Sequence, residues 1–185
     1  MAATTLDGKL ANKGLLGPKV GLGDRLDEIH DFLAALLSAN RTVCFSTAGL
    51  AEGTGAGTFQ IATAITYTID GVRYTKGVTD NLAFTAAAIQ ATDTNCIYLI
   101  CIDSSGTLST VKGTAVATAS QASIPAPTAG TCPIGFVHIA TSSAATFTAG
   151  TTDLGAANVV DTFVNFVGCN PAQGVNVAAL TPAAI

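Results

Sequence analysis

The stretch Asn95-Cys96-Ile97-Tyr98-Leu99-Ile100-Cys101-Ile102-Asp103-Ser104-Ser105-Gly106-Thr107-Leu108 decides the fold class. From Cys96 to Ile102 every side chain is apolar or aromatic. The run is strand-sized, far short of the roughly 18 residues of a membrane span. Unbroken apolarity over such a length predicts a strand buried on both faces, whereas a strand with one wet face alternates. Asp103-Ser104-Ser105-Gly106 reads as a turn, with Thr107 to Val111 as the returning strand.

Working outward, the same grammar recurs. Thr42 to Ser46 alternates as a short strand. Phe59 to Ile69 reads as one strand and Gly71 to Thr75 as its partner, because Asp70-Gly71 supplies the positive φ of a tight hairpin. Leu82 to Ile89 and Ile134 to Thr141 are further strands, and Ala144 to Thr148 leads into a turn at Gly150. Val159 to Val167 alternates, with Phe163, Asn165 and Val167 on one face. Gly49 to Gly57 reads as a flexible loop, Thr114 to Ser120 is ambiguous, and Pro125, Pro127 and Pro133 punctuate a loop. The segment after Gly168 reads as irregular.

The N-terminal part differs. Residues 1 to about 21 carry glycines, Pro18 and the cations Lys9, Lys13 and Lys19 without periodicity, which predicts an extended arm. Residues 24 to about 39 form the one convincing helix, with Asp24 as N-cap and Asp27 and Glu28 in the first turn. Leu22, Leu26, Ile29, Leu33 and Leu36 follow the 4-3-4-3 spacing of a heptad seam. The seam fits a self-associating three-stranded stem, and equally an amphipathic helix packed on its own domain. The expected architecture is therefore mainly β: an arm and short helix over residues 1–41, then an all-β sandwich- or barrel-like domain over 42–185.

Composition bounds the function. Of 185 residues, 49% are hydrophobic and only 11% charged, and the net charge is −4. Soluble domains carry roughly 25% charged residues, so a chain this poor in charge is expected to bury surface against copies of itself or a larger assembly. Ala and Thr make up about a third of the chain, which suits packed sheets and subunit contacts. All eight Lys and Arg lie at or before Lys112, so no basic footprint for nucleic acid is present. No membrane span and no signal peptide are legible. Five cysteines (Cys44, Cys96, Cys101, Cys132 and Cys169) without a CxxC read as free thiols in a reducing cytoplasm.

Candidate chemistry is sparse. His30 sits among acids on the helix and His138 on a strand, facing away from Val137 and Ile139, and both read as surface or contact residues. A Cys–His pair from Cys132 or Cys101 with His138 has no local support. Two histidines and scattered cysteines give no zinc framework. Gly53-Thr54-Gly55-Ala56-Gly57-Thr58 lacks the Lys and the strand-to-helix setting of a phosphate loop. Asp70, Asp80, Asp93, Asp103 and Asp153 read as turn formers rather than calcium ligands. No catalytic, metal-binding or cofactor-binding residues are expected, and no enzymatic activity.

The run from Asn95 to Leu108, the connection Ile124-Pro125-Ala126-Pro127, the strand Cys132-Pro133-Ile134-Gly135-Phe136-Val137-His138-Ile139 and the later Phe147-Thr148-Ala149-Gly150-Thr151-Thr152-Asp153-Leu154 together resemble a module of tailed-bacteriophage virion surface proteins. These are head-decoration (cement) proteins, head fibres and some tail-fibre segments. The shared plan is a strand ending in Asp-x-x-Gly, a Pro-rich connection and a Pro-Ile-Gly strand, over roughly residues 59 to 167. The resemblance implies a homotrimer on the outer capsid surface of a virion, made in the host cytoplasm, with the major capsid protein as partner. It carries no active site. The arm with Lys9, Lys13 and Lys19 is then the expected capsid anchor, and the helix seam the expected stem. A tail-fibre or receptor-binding module recognising host glycan is the alternative, disfavoured by the absence of Trp and the presence of only three Tyr.

Overall fold

The computed structural model describes Leu26, Ile29, His30, residues 41–85 and residues 89–168. The chain forms two compact units, residues 1–40 and 41–185. In the first, Leu26, Ile29 and His30 are helical and exposed. The seam positions Leu22, Leu33 and Leu36 and the arm positions Lys9, Lys13 and Lys19 lie outside the described residues.

The second unit is mainly β, with every strand pairing antiparallel. In chain order the strands are β1 (Val43–Cys44), β2 (Leu50–Glu52), β3 (Thr58–Ile61), β4 (Ile65–Ile69), β5 (Val72–Lys76), β6 (Thr79–Ala83), β7 (Ile89–Gln90), β8 (Asn95–Ile102), β9 (Leu108–Lys112), β10 (Cys132–Thr141), β11 (Phe147–Thr148) and β12 (Val159–Asn165). They build a four-stranded sheet in the order β12-β10-β8-β9, three-stranded sheets β1-β4-β5 and β2-β3-β6, and the pair β11-β7.

Strand β8 is buried on both faces, as its unbroken apolarity requires. Cys96, Tyr98, Ile100 and Ile102 enter the larger of two apolar clusters, which the other sheets share. Ile97, Leu99 and Cys101 enter the smaller one, with Phe136, Phe166, Ala122 and Ile124. The last two come from the connection between β9 and β10, which lies close on the sheet: Gly113 donates to the Ile97 carbonyl at 2.7 Å. In the larger cluster, Phe84 meets Phe59, Tyr98 and Phe147 edge-on at centroid distances of 5.3, 5.6 and 5.9 Å. Each such pair adds about 0.5–1.5 kcal/mol beyond area burial. Gln90, fully buried, donates to the Thr94 and Ile139 carbonyls at 3.0 Å, so its burial is satisfied.

The hairpin at Asp70-Gly71 forms as expected, with φ of 51° and 83°. The turn after β8 is clamped by Asp103, whose Oδ1 accepts from the Ser105 and Thr107 amides at 2.9 and 2.8 Å.

Several expectations are corrected. The stretch Phe59 to Ile69 is two strands, β3 and β4, because Ala62 and Thr63 bond back to Gly49 and Ala48. Gly49 to Gly57 is an ordered hairpin containing β2. Its glycines serve packing: a Cβ on Gly57 would lie 2.9 Å from the Thr151 amide and the Thr152 carbonyl. Leu82 to Ile89 is not one strand, since β6 ends at Ala83 and β7 begins at Ile89. Pro133 lies inside β10, opposite Cys101 at a register shift between Pro133 and Gly135. A bulge tolerates the missing N–H. The shift also changes the phase of the strand: Cys132 and Ile134 enter the larger cluster before it, Val137 and Ile139 after it.

Gly135 sits at that bulge, where a Cβ would overlap the Val164 carbonyl and the Leu50 side chain. Gly135→Ala is therefore expected to lose about 1–3 kcal/mol of stability by overpacking. Gly77→Ala, with nothing near its Cβ, is expected to stay within about 0.5 kcal/mol. Chemical denaturation of the two variants checks this, and equal losses would contradict the packing role.

Candidate assembly surface

The residues that could carry chemistry are distributed rather than convergent. Cys44, Cys96, Cys101 and Cys132 are free and buried. Burial pushes every one of these thiols up, Cys96 to about 11 and Cys132 to about 12, which suppresses the nucleophilic thiolate. Cys169 lies outside the described residues. Cys132 points into the larger cluster, whereas His138 alternates with Val137 and Ile139 onto the opposite face. Cys101 shares the face of His138, but His138 pairs with Ile97, four residues away along β8, or about 13 Å. Neither thiol reaches the imidazole.

His138 is half-buried, and its Nε2 is enclosed without a hydrogen-bond partner. Burial lowers its pKa from the ordinary 6.5, so the ring is held neutral.

The turn acids act locally. Asp80 accepts from the Thr54 amide and hydroxyl at 3.1 and 2.7 Å and from the Asn81 amide at 2.7 Å, joining the β2–β3 turn to β6. These bonds, the Thr54 hydroxyl first, hold its carboxyl below the usual range. Among the described residues no group of three or more His, Cys, Asp or Glu is arranged to hold a metal ion. Nor is any helix among them long and apolar enough to cross a membrane.

What the domain does offer is surface suited to association. Strands β5 and β12 end their sheets, and no described strand pairs with their outer sides. By contrast, β9 is covered at Thr110, where Thr85 and Thr110 exchange amide-to-hydroxyl bonds of 2.9 Å. Exposed apolar side chains include Phe45, Val72, Val78 and Val160, each more than half exposed, together with Leu26 and Ile29 of the N-terminal helix. An open groove of about 550 Å³ is lined by Phe45, Ser46, Thr66, Thr68 and Arg73 on the outer face of the β1-β4-β5 sheet. Sequence reasoning missed this groove. Its lining comes from β4, β5 and the segment that follows β1, whose outward positions carry no motif.

Acids gather at Glu52, Asp153 and Asp161. The Gly155 amide donates to both Glu52 Oε1 at 2.9 Å and Asp153 Oδ1 at 3.2 Å, so two carboxylates share one N–H. Partial loss of hydration pushes the Glu52 carboxyl up; the hydrogen bond and charge of Asp153 and the charge of Asp161 add to it.

Comparison of the chain with protein-family models, curated proteins and solved structures finds no match.

The neutral, unpartnered His138 makes a pH prediction. The unfolded chain takes up a proton there near pH 6.5, the folded chain only at lower pH. Stability from this group is full above that value and falls as pH drops toward the folded pKa. Denaturation of wild type and His138→Leu from pH 7 to 5 should show the wild type losing stability relative to the variant. Parallel curves would contradict it.

Proposed function

We propose that this chain is a non-enzymatic structural virion protein: a homotrimeric capsid-decoration (cement) or head-fibre protein that binds and stabilises the outer surface of a phage head. The observation that carries the reading is a β-rich domain with end strands, β5, β6 and β12 among them, whose outer sides no described strand covers, and with exposed apolar side chains, in a chain only 11% charged. Such edges invite pairing unless something covers them, and copies of the chain around a threefold axis would do so. The resemblance of residues 59 to 167 to phage virion surface modules points the same way. In this reading the sheets close as a sandwich- or barrel-like body. The helix seam of Leu22, Leu26, Ile29, Leu33 and Leu36 forms a three-stranded stem, and the arm bearing Lys9, Lys13 and Lys19 lies along the major capsid protein. Many copies binding an assembled shell stabilise it as any ligand selective for the assembled state does.

A second reading has one observation in its favour. The groove beside Phe45 places an exposed aromatic ring next to the hydroxyls of Ser46, Thr66 and Thr68 and the Arg73 guanidinium, a composition suited to a glycan. The alternative is then a tail-fibre or receptor-binding module for host surface sugar.

Deleting residues 1–21 separates the roles. The truncated chain is expected to keep its oligomeric mass and lose binding to undecorated heads in a co-sedimentation assay. Undiminished binding would overturn the anchoring role of the arm. A glycan array that returns a specific ligand, lost in Phe45→Ala, would favour the second reading.

A further inference from the structure

Two of the uncovered end strands, β5 and β12, carry opposite charge. On β5, Arg73 and Lys76 make no ion pair among the described residues. Near β12, Asp161 joins Glu52 and Asp153 in a group whose fixed hydrogen-bond donor is the shared Gly155 amide. No cation of the same domain is among the groups acting on Glu52.

These edges are separate places on the domain. The four-stranded sheet runs β12-β10-β8-β9, so β12 and β9 are separated by three strand spacings, about 14 Å. The acidic group is at the β12 side, where the Leu50 amide of β2 donates to Asn165 Oδ1 at 3.0 Å. Strand β5 is at the β8–β9 turn. There Tyr67 of the neighbouring β4 donates to the Asp103 carbonyl at 2.8 Å, and the Lys76 side chain passes 3.6 Å from the Cβ position of Gly106. Exposed Val72 and Val78 flank the basic edge, and exposed Val160 lies on the acidic one.

We infer that β5 of one copy docks along the β12 edge of a second copy, bringing Arg73 and Lys76, which project from the two faces of β5, to the edge that carries Glu52, Asp153 and Asp161. The contact is heterologous: each copy offers its basic edge to one neighbour and its acidic edge to the other, and it closes into a three-membered ring where the rotation between copies is a third of a turn. Main-chain pairing and the valines contribute association, while the charges set which edges meet and in which direction. The β9 edge, capped by Thr85, is excluded. This inference rests on the reading of the chain as a self-associating protein and names the surface that does it.

Sedimentation velocity on the full chain at low salt tests it. The variants are Arg73→Glu with Lys76→Glu, Glu52→Lys with Asp161→Lys, and the chain carrying all four changes; thermal unfolding shows that each is folded. Each reversed pair should weaken association at least about tenfold, and the fourfold exchange should recover most of it, because the edges again carry opposite charge. Folded reversed pairs that associate like the wild type overturn the contact, as does a fourfold variant that stays dissociated or a wild type that never associates. If the reversed pairs remain oligomeric and still decorate heads, this contact fails while the virion reading stands. If they remain oligomeric but lose head binding, or lose glycan binding, the edge meets the shell or a sugar and the inference is overturned.

Discussion

Burial of β8 on both faces is the constraint around which the domain is arranged. A strand with Ile97, Leu99 and Cys101 on one side and Cys96, Tyr98, Ile100 and Ile102 on the other needs cover above and below. The other sheets supply it on one side through the aromatic group around Phe84. On the other side no further sheet lies among the described residues. The connection between β9 and β10 crosses instead, delivering Ala122 and Ile124, and Phe166 closes the layer. The bulge at Pro133 to Gly135 follows from the same demand. Strand β10 must feed both clusters, and a single extra residue switches which of its side chains do so.

Much of this was legible in the sequence because it rests on local chemistry. The β8 run, the Asp103 turn and the Asp70-Gly71 hairpin each declare themselves through residues adjacent in the chain. What failed was decided by residues distant in sequence. Gly49 to Gly57 looked flexible because glycine permits flexibility, yet Gly57 is glycine because the turn at Thr151 and Thr152 lies against it. Pro133 looked like a loop breaker, and only its pairing opposite Cys101 reveals a strand with a bulge. The division of Phe59 to Ile69 depends on bonds from Ala62 and Thr63 to Gly49 and Ala48, which no periodicity encodes.

The candidate surface was less legible still. The Lys9, Lys13 and Lys19 arm and three of the five seam residues lie outside the described residues. The structure adds instead a groove beside Phe45 and two end strands of opposite charge, assembled from Arg73 and Lys76 at one side and Glu52, Asp153 and Asp161 at the other. Those residues are scattered along the chain, and only the sheet order brings them to two edges. With so few charges overall, their segregation carries more information than their number.

The claim that joins fold to function is that the β domain completes itself by meeting copies of the same chain. The most direct test is the mass of the purified wild-type protein, measured by light scattering with in-line chromatography across a range of concentrations. The account predicts a species near three times the 18.4 kDa chain. A single 18.4 kDa species at every concentration would contradict it.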